Sequence, residues 1–444
     1  MQKLPIYILF NLDKFPKSKK KIREISFPSN FIFKQEGVIY VCLHQIAHLD
    51  KMQKNFYLFN VGKKLRNFCN DKNYEIKYFG DKSLNINCLI LGWHLMEYSF
   101  DNFKTNKTIK KKLNLIFKDK TQIELEKEAY FFVRDIINTP ANILGPDEIL
   151  KQGKAFLKKY FSVKKITGMQ LRNNFPLIYE VGKAASSKKQ PIFCEFKSKS
   201  SNKKKKIILI GKGVSFDTGG LNLKTGSGMI LMKKDMGGAA NCIGLANLIK
   251  STNPELDVTL LLSLVENSVS ANSFRPSDIL KSRDGQFIEI GDTDAEGRLI
   301  LADAISYACE SKPDLIIDMA TLTGASRVAM GVEVPSYFCN SESLSKQLQI
   351  ASEESGDPLW SLPLWDNYST QLHSNHADVR NIGNSSFGGA ITAALFLNRF
   401  VKNQIPWIHV DLMAWSFANK FSSYVGGEAM GIRALHRFLT NKFS

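Results

Sequence analysis

The stretch Lys206-Ile207-Ile208-Leu209-Ile210-Gly211-Lys212-Gly213-Val214-Ser215-Phe216-Asp217-Thr218-Gly219-Gly220 decides how this 444-residue chain is read. Ile207 to Ile210 form a short apolar run between lysines and Gly211, the pattern of a buried strand ending in a loop. The glycines invite a phosphate-cradle reading, and spacing removes it. The Walker form needs Gly-x4-Gly-Lys-Ser/Thr, but Lys212 directly follows the first glycine. The dinucleotide form needs a glycine where Phe216 stands. What remains is a flexible loop that presents Lys212 and Asp217, with Lys224 a few residues on.

Outward from this stretch, strand-like and helix-like segments alternate. Met236 to Ile249 reads as a helix, Asp257 to Val265 as a buried strand, and Phe287 to Ile290 as a further strand. Glu296 to Ala308 is helical, Leu315 to Met319 a strand, Gly389 to Phe400 a helix and Trp407 to Val410 a strand. Such alternation predicts an α/β domain over 145–444 with a mixed, largely parallel central sheet flanked by helices. Ligands in such sheets sit beyond the carboxyl ends of the strands. A helix from Gln122 to Ile137, ended by Asn138-Thr139-Pro140, and its following loop connect (121–144) to a smaller N-terminal α/β domain over 1–120. That domain carries β-like runs at Ile6 to Phe10, Val38 to Cys42 and Cys88 to Leu91.

Three segments bring acids to the expected edge. The first holds Asp217, the second is Met232-Lys233-Lys234-Asp235, and the third is Asp292-Thr293-Asp294-Ala295-Glu296-Gly297-Arg298. Alone, Asp235 reads as a helix cap and Asp294-Ala295-Glu296 as a solvated turn. In an extended segment Asp294, Glu296 and Arg298 point the same way. Crowded carboxylates repel and are costly to bury unless a cation neutralises them. Oxygen-rich sites suit Mg²⁺ or Mn²⁺, and Zn²⁺ also accepts carboxylates. A lysine joins only as a neutral amine, which a nearby dication favours. Four carboxylates can hold two metals about 3.5–4 Å apart, the arrangement that activates water and polarises a carbonyl. His44 and His48 lack the intervening Glu of the H-E-x-x-H motif, and His373, His376 and His409 read as structural or surface residues.

Composition narrows the remaining classes. No apolar stretch reaches the roughly 18 residues of a membrane-spanning helix. The run Leu4 to Phe10 is followed at once by Asn11, Asp13 and Lys14 and reads as a first strand rather than a signal peptide. Seven scattered cysteines without a C-x-x-C pair fit a reduced, cytoplasmic compartment. Residues 1–120 hold 23 Lys and Arg against 10 Asp and Glu, a net charge of +13, while the rest of the chain nets +5. That excess motivates an alternative function: a DNA- or polyanion-binding protein in which any chemistry at the acidic segments is secondary. The runs Lys17 to Lys21, Lys110 to Lys112 and Lys203 to Lys206 lack interleaved aromatics, so a lysine-decorated surface is favoured over nucleic-acid binding.

The motifs G-K-G-V-S-F-D-T-G-G at 211–220, M-K-K-D-M-G-G-A-A at 232–240, T-D-A-E-G-R-L at 293–299, A-T-L-T-G-A at 320–325 and G-G-A-I-T-A-A at 388–394 resemble those of the cytosolic leucyl aminopeptidases. The resemblance covers the chain after about residue 122. It implies metal-dependent removal of N-terminal residues from short peptides. Lys212, Asp217, Asp235, Asp294 and Glu296 would hold two divalent cations, with Asp217 and Glu296 bridging. Lys224 would stabilise the developing oxyanion, and Arg298 would hold a bicarbonate serving as general base. Met232 would line the pocket for the first side chain, with Thr321, Leu322 and Gly324 shaping the rest. The resemblance further implies a homohexamer. Asp292 stands where the family usually has Asn, the stretch Trp407 to Trp415 loses a usual Ala-Gly, and residues 1–120 carry no matching motif. The same site could also serve a Cys-Gly dipeptidase.

Overall fold

The computed structural model describes residues 3–9, 32–35, 37–43, 46–70, 73–79, 81, 83–107, 113–117, 120–199, 205–419 and 421–443. The lysine runs 17–21 and 110–112, together with Phe10 and His44, lie outside them. The described residues form two compact units. One comprises Met1–Phe131, Ser352–Pro358 and Ala418–Tyr424, the other Phe132–Ala351, Leu359–Phe417 and Val425–Ser444.

The first unit is built on five strands: β1 (Leu4–Leu9), β2 (Ile32–Gln35), β3 (Val38–Cys42), β4 (Asn73–Phe79) and β5 (Asn114–Ile116), in the order β2-β3-β1-β4-β5. Only β2 runs antiparallel to its neighbour. The residues Cys88 to Leu91, expected as a strand, lie in the helix Ile86–Leu95. A short apolar run has no period that separates strand from buried helix. Here the Asn85 side chain accepts the Asn87 N–H at 3.1 Å and starts the helix. Its partner is the helix Lys51–Phe68, and the two approach so closely that a Cβ on Gly92 would stand 1.9 Å from the Phe59 carbonyl oxygen.

The second unit carries an eight-stranded sheet. Its members are β6 (Phe161–Ile166), β7 (Ile192–Ser198), β8 (Lys206–Asp217), β9 (Asp257–Asn267), β12 (Leu315–Ala320), β13 (Ser336–Cys339), β14 (Trp360–Ser361) and β16 (Trp407–Asp411). The order is β14-β13-β16-β12-β8-β9-β7-β6. The inner strands β16, β12, β8 and β9 are parallel, and antiparallel pairings flank them. Phe287 to Ile290 does not join this sheet. It forms β11 (Phe287–Glu289) of a separate three-stranded sheet with β10 (Ile279–Lys281) and β15 (Val379–Arg380).

Strand β8 is buried from Ile207 through Ser215, so the glycine-rich stretch continues the strand and is no flexible loop. Its glycines serve packing. A Cβ on Gly211 would meet Ala239 Cα at 2.6 Å, and one on Gly238 would meet the Met319 carbonyl oxygen at 2.0 Å. The small residues thus let the helix Gly237–Thr252 lie directly on the sheet. The core is the apolar layer between the sheet and helices such as Glu296–Glu310, with Ile208, Ile210, Leu299 and Ile316 among its members.

Candidate active site

The carboxyl ends of β8 and β12 and the loops beyond them open on a cavity of about 520 Å³ in the second unit. Lys212 and Asp217 are delivered by β8 itself, in register with Ser263 and Asn267 of β9. Asp235 ends the 3-10 turn Met232–Lys234 and is no cap of the next helix, which begins at Gly237 with Met236 before it. Asp294, Glu296 and Arg298 do not share an extended segment either, because the helix Glu296–Glu310 has begun by Glu296. The tight turn before it, with Asp292 Oδ1 accepting the Asp294 N–H at 2.8 Å, still brings Asp294 and Glu296 together.

One oxygen each of Asp217, Asp294 and Glu296 lie within 4.8 Å of one another. Lys212 Nζ stands 2.9 Å from Asp235 Oδ2 and 3.0 Å from Glu296 Oε1, and it donates to the Thr321 carbonyl at 2.9 Å. Lys224 Nζ stands 2.8 Å from Asp217 Oδ2 and also pairs with Asp294. Further hydrogen bonds fix these acids and Arg298. Asn267 Nδ2 and the Gly219 N–H donate to Asp217 Oδ1 at 2.9 and 2.8 Å. Thr321 Oγ1 donates to Asp235 Oδ1 at 2.7 Å. Asn381, from a loop eighty residues on, accepts Arg298 Nη1 on its carbonyl at 2.7 Å and the Gly291 N–H on its side chain at 2.7 Å.

The acids titrate as a crowded group. Burial, then the neighbouring Asp217 charge, pushes Asp294 up to about 7 and Glu296 well above the usual range. Burial opposes the charge on Asp235 as well, but Lys212 and Lys234 outweigh it and hold its pKa low. Burial also opposes the charges on Lys212 and Lys224, yet the surrounding carboxylates hold both lysines above their ordinary value. Burial lowers Arg298 to about 10 and Lys234 to about 8.

Whether this set fits dications is decided by its oxygens. Glu296 is 1% exposed, and its Oε2 has neither a hydrogen bond nor an ion pair among the described residues. A buried, unpartnered carboxylate oxygen between two further acids is a cation ligand waiting for its partner. With a dication beside it, Lys212 can give up its proton and offer a neutral amine. The donor set fits.

Met232, Thr321, Leu322 and Gly324, expected to surround the first side chain, all line the cavity, as do Asp292 and Arg298. The G-G-A-I-T-A-A stretch reaches it through Gly389 and Thr392. His409 is buried against Asp318 at 2.5 Å, and His373 and His376 are exposed.

Residues 131–436 match the family model described as cytosol aminopeptidase family, catalytic domain. A probable cytosol aminopeptidase of Persephonella marina is 37% identical over 367 residues, 80% of this chain and 74% of that protein. One from Prochlorococcus marinus (strain MIT 9215) is 34% identical over 435 residues, 93% of this chain and 88% of its own. The crystal structure of cytosol aminopeptidase from Coxiella burnetii is similar with a TM-score of 0.86 at 34% identity, covering 100% of this chain and 98% of that one. The likeness therefore includes the first 120 residues, where motifs had given none. The polyanion-binding alternative gains no support from these comparisons. The chain belongs to the cytosol aminopeptidase family and is a metal-dependent aminopeptidase, a hydrolase of N-terminal peptide bonds.

Proposed function

We propose that the chain removes single residues from the N-termini of short peptides at the cavity beyond β8 and β12. Lys212, Asp217, Asp235, Asp294 and Glu296 would hold two divalent cations, Mn²⁺ or Zn²⁺ by preference and Mg²⁺ as a further fit to oxygen donors. The observation that carries this reading is the convergence of Asp217, Asp294 and Glu296 within 4.8 Å in a buried setting. Bound there, such cations acidify water and polarise a carbonyl.

The chain's own groups supply the rest. Lys224, anchored by Asp217 and Asp294, presents an ammonium to the oxygen on which charge develops. Asp217 is held in orientation by Asn267 and the Gly219 N–H on Oδ1, while Oδ2 faces the Lys224 ammonium. Arg298 keeps Nε buried without a partner while Nη1 is fixed to Asn381, a geometry suited to holding bicarbonate, which supplies a general base. Met232, Thr321, Leu322 and Gly324 bound the space for the first side chain.

Hexameric assembly belongs to the same reading. It is supported by the family resemblance and by apolar side chains such as Val328 and Phe387, 89% and 82% exposed on this unit. A cytoplasmic location is supported by seven cysteines, none of them in a disulfide. Metal analysis of purified protein, with hydrolysis of leucine p-nitroanilide before and after chelation, tests the core of the proposal. Full activity in an Asp294→Ala variant would sink the assignment.

A further inference from the structure

We propose that Lys234 and Arg327 form a carboxylate-binding subsite in the cavity that selects peptides with an acidic first residue. The inference rests on the peptidase reading of the cavity. Of the cations that line it, Lys212 and Lys224 face carboxylates and Arg298 donates to Asn381. Lys234 and Arg327 stand apart. Lys234 is 1% exposed, yet its ammonium makes no hydrogen bond or ion pair among the described residues. Arg327 is half-buried, and its guanidinium is equally unpartnered.

The acids that act on Lys234 are committed elsewhere. Asp235 pairs with Lys212 and accepts from Thr321. Asp411 accepts the N–H groups of Leu322 and Thr323 and the Thr323 hydroxyl at 2.6 Å. Two like charges, one of them taken out of water, are unfavourable neighbours unless an anion joins them. An incoming carboxylate supplies that anion. A carboxamide of the same shape does not, and it leaves the desolvated lysine unmatched.

Position assigns the carboxylate to the first side chain. Lys234 lies on the same turn as Met232, and Arg327 lies on the helix Gly324–Met330. A Cβ on Gly324 would stand 3.6 Å from Arg327 Nη2, so the guanidinium lies beside the loop 321–324 that bounds the space for the first side chain. A free C-terminal carboxylate of a dipeptide is the other source of the same chemistry.

The test uses the full-length, metal-loaded enzyme and the amidated peptides Glu-Gly-NH₂, Gln-Gly-NH₂ and Leu-Gly-NH₂, with their free acids. The wild type is expected to prefer Glu over Gln by about tenfold or more in kcat/KM, amidated or not. The ratio should collapse toward one in Lys234→Met and fall in Arg327→Met. Because the ratio is internal to each variant, a general loss of rate does not imitate the result. Should Lys234→Met fail to fold, Arg327→Met and the wild-type ratio carry the test. A wild-type ratio near one, or a ratio unchanged in both variants, overturns the proposal. So does a Lys234-dependent preference for free acids over amides with no Glu preference, which would assign the subsite to the C-terminus. Hydrolysis of the leucine peptide without a Glu preference defeats this inference alone. Absence of metal-dependent hydrolysis of all three peptides defeats the peptidase reading beneath it.

Discussion

Lys224 Nζ stands 2.8 Å from Asp217 Oδ2 at the mouth of the acidic cluster, and the same ammonium also pairs with Asp294. The lysine is thus held by acids that serve another purpose, which frees its charge for the substrate once cations neutralise them. Lys224→Met should lower kcat by about 10²–10³, the usual cost of losing one preorganised oxyanion partner. Metal content by elemental analysis should stay at the wild-type level. A fall in bound metal with proportionate activity would make Lys224 a metal-site residue instead.

Glu296 is the acid whose neutral form the fold favours, since burial and Asp217 both push its pKa far up. Glu296→Gln keeps shape and the neutral state, so the metal-free variant should melt at or above the metal-free wild type. It should lose affinity for at least one cation and lower kcat/KM by at least about a hundredfold. Calorimetric titration with Mn²⁺ or Zn²⁺ separates the two effects. Wild-type affinity with normal turnover would remove Glu296 from the metal site.

Gly211 holds the helix Gly237–Thr252 against β8. The Cβ of Gly211→Ala would stand 2.6 Å from Ala239 Cα, a backbone atom that cannot rotate away, and 2.9 Å from Leu262 Cδ2. Overpacking of this kind costs roughly 1–3 kcal/mol. Lys212 is the next residue, so activity should fall along with the urea midpoint. An unchanged midpoint would show that the helix and sheet can separate freely.

His436 gives a pH signature away from the site. It is buried, its Nε2 lies 2.7 Å from Thr252 Oγ1, and burial pushes its pKa down to about 4. The unfolded chain, with an ordinary histidine near 6.5, takes up the proton first as pH falls. The contribution is therefore complete above pH 6.5 and is lost between 6.5 and 4, at most about 3 kcal/mol. His436→Gln keeps a polar partner for Thr252 without titrating, so its urea midpoint should decline less steeply across that window. Identical slopes would exclude His436 as the source.

Much of the site was legible because its acids lie in compact motifs. Asp217, Asp235, Asp294 and Glu296 stood out as candidates because three segments carry acids toward one sheet edge, with Lys212 and Lys224 close to them in sequence. Asn267, Asn381 and Asp411 could not, since an isolated Asn or Asp carries no local signal. They matter only because β9, a loop eighty residues on and the end of β16 are brought to the same edge. Local conformation failed where two structures suit one pattern. Cys88 to Leu91 lies in a helix capped by Asn85 and packed on the helix Lys51–Phe68, and the glycines after Ile210 extend a strand whose missing side chains let a helix lie on it.

By itself the sequence determined which residues carry charge, their order, and the alternation of apolar runs that makes a parallel sheet the cheapest way to bury them. Tertiary structure alone decided that Asp217 and Glu296, seventy-nine positions apart, bring oxygens within 4.8 Å of each other in a buried cluster, and that Lys234 lines the cavity beside Asp217 with no ion pair among the described residues. The physical reason is that a carboxylate's or ammonium's chemistry depends on how much water and which opposite charges surround it. Both are set by the packing of distant strands, not by the neighbours along the chain.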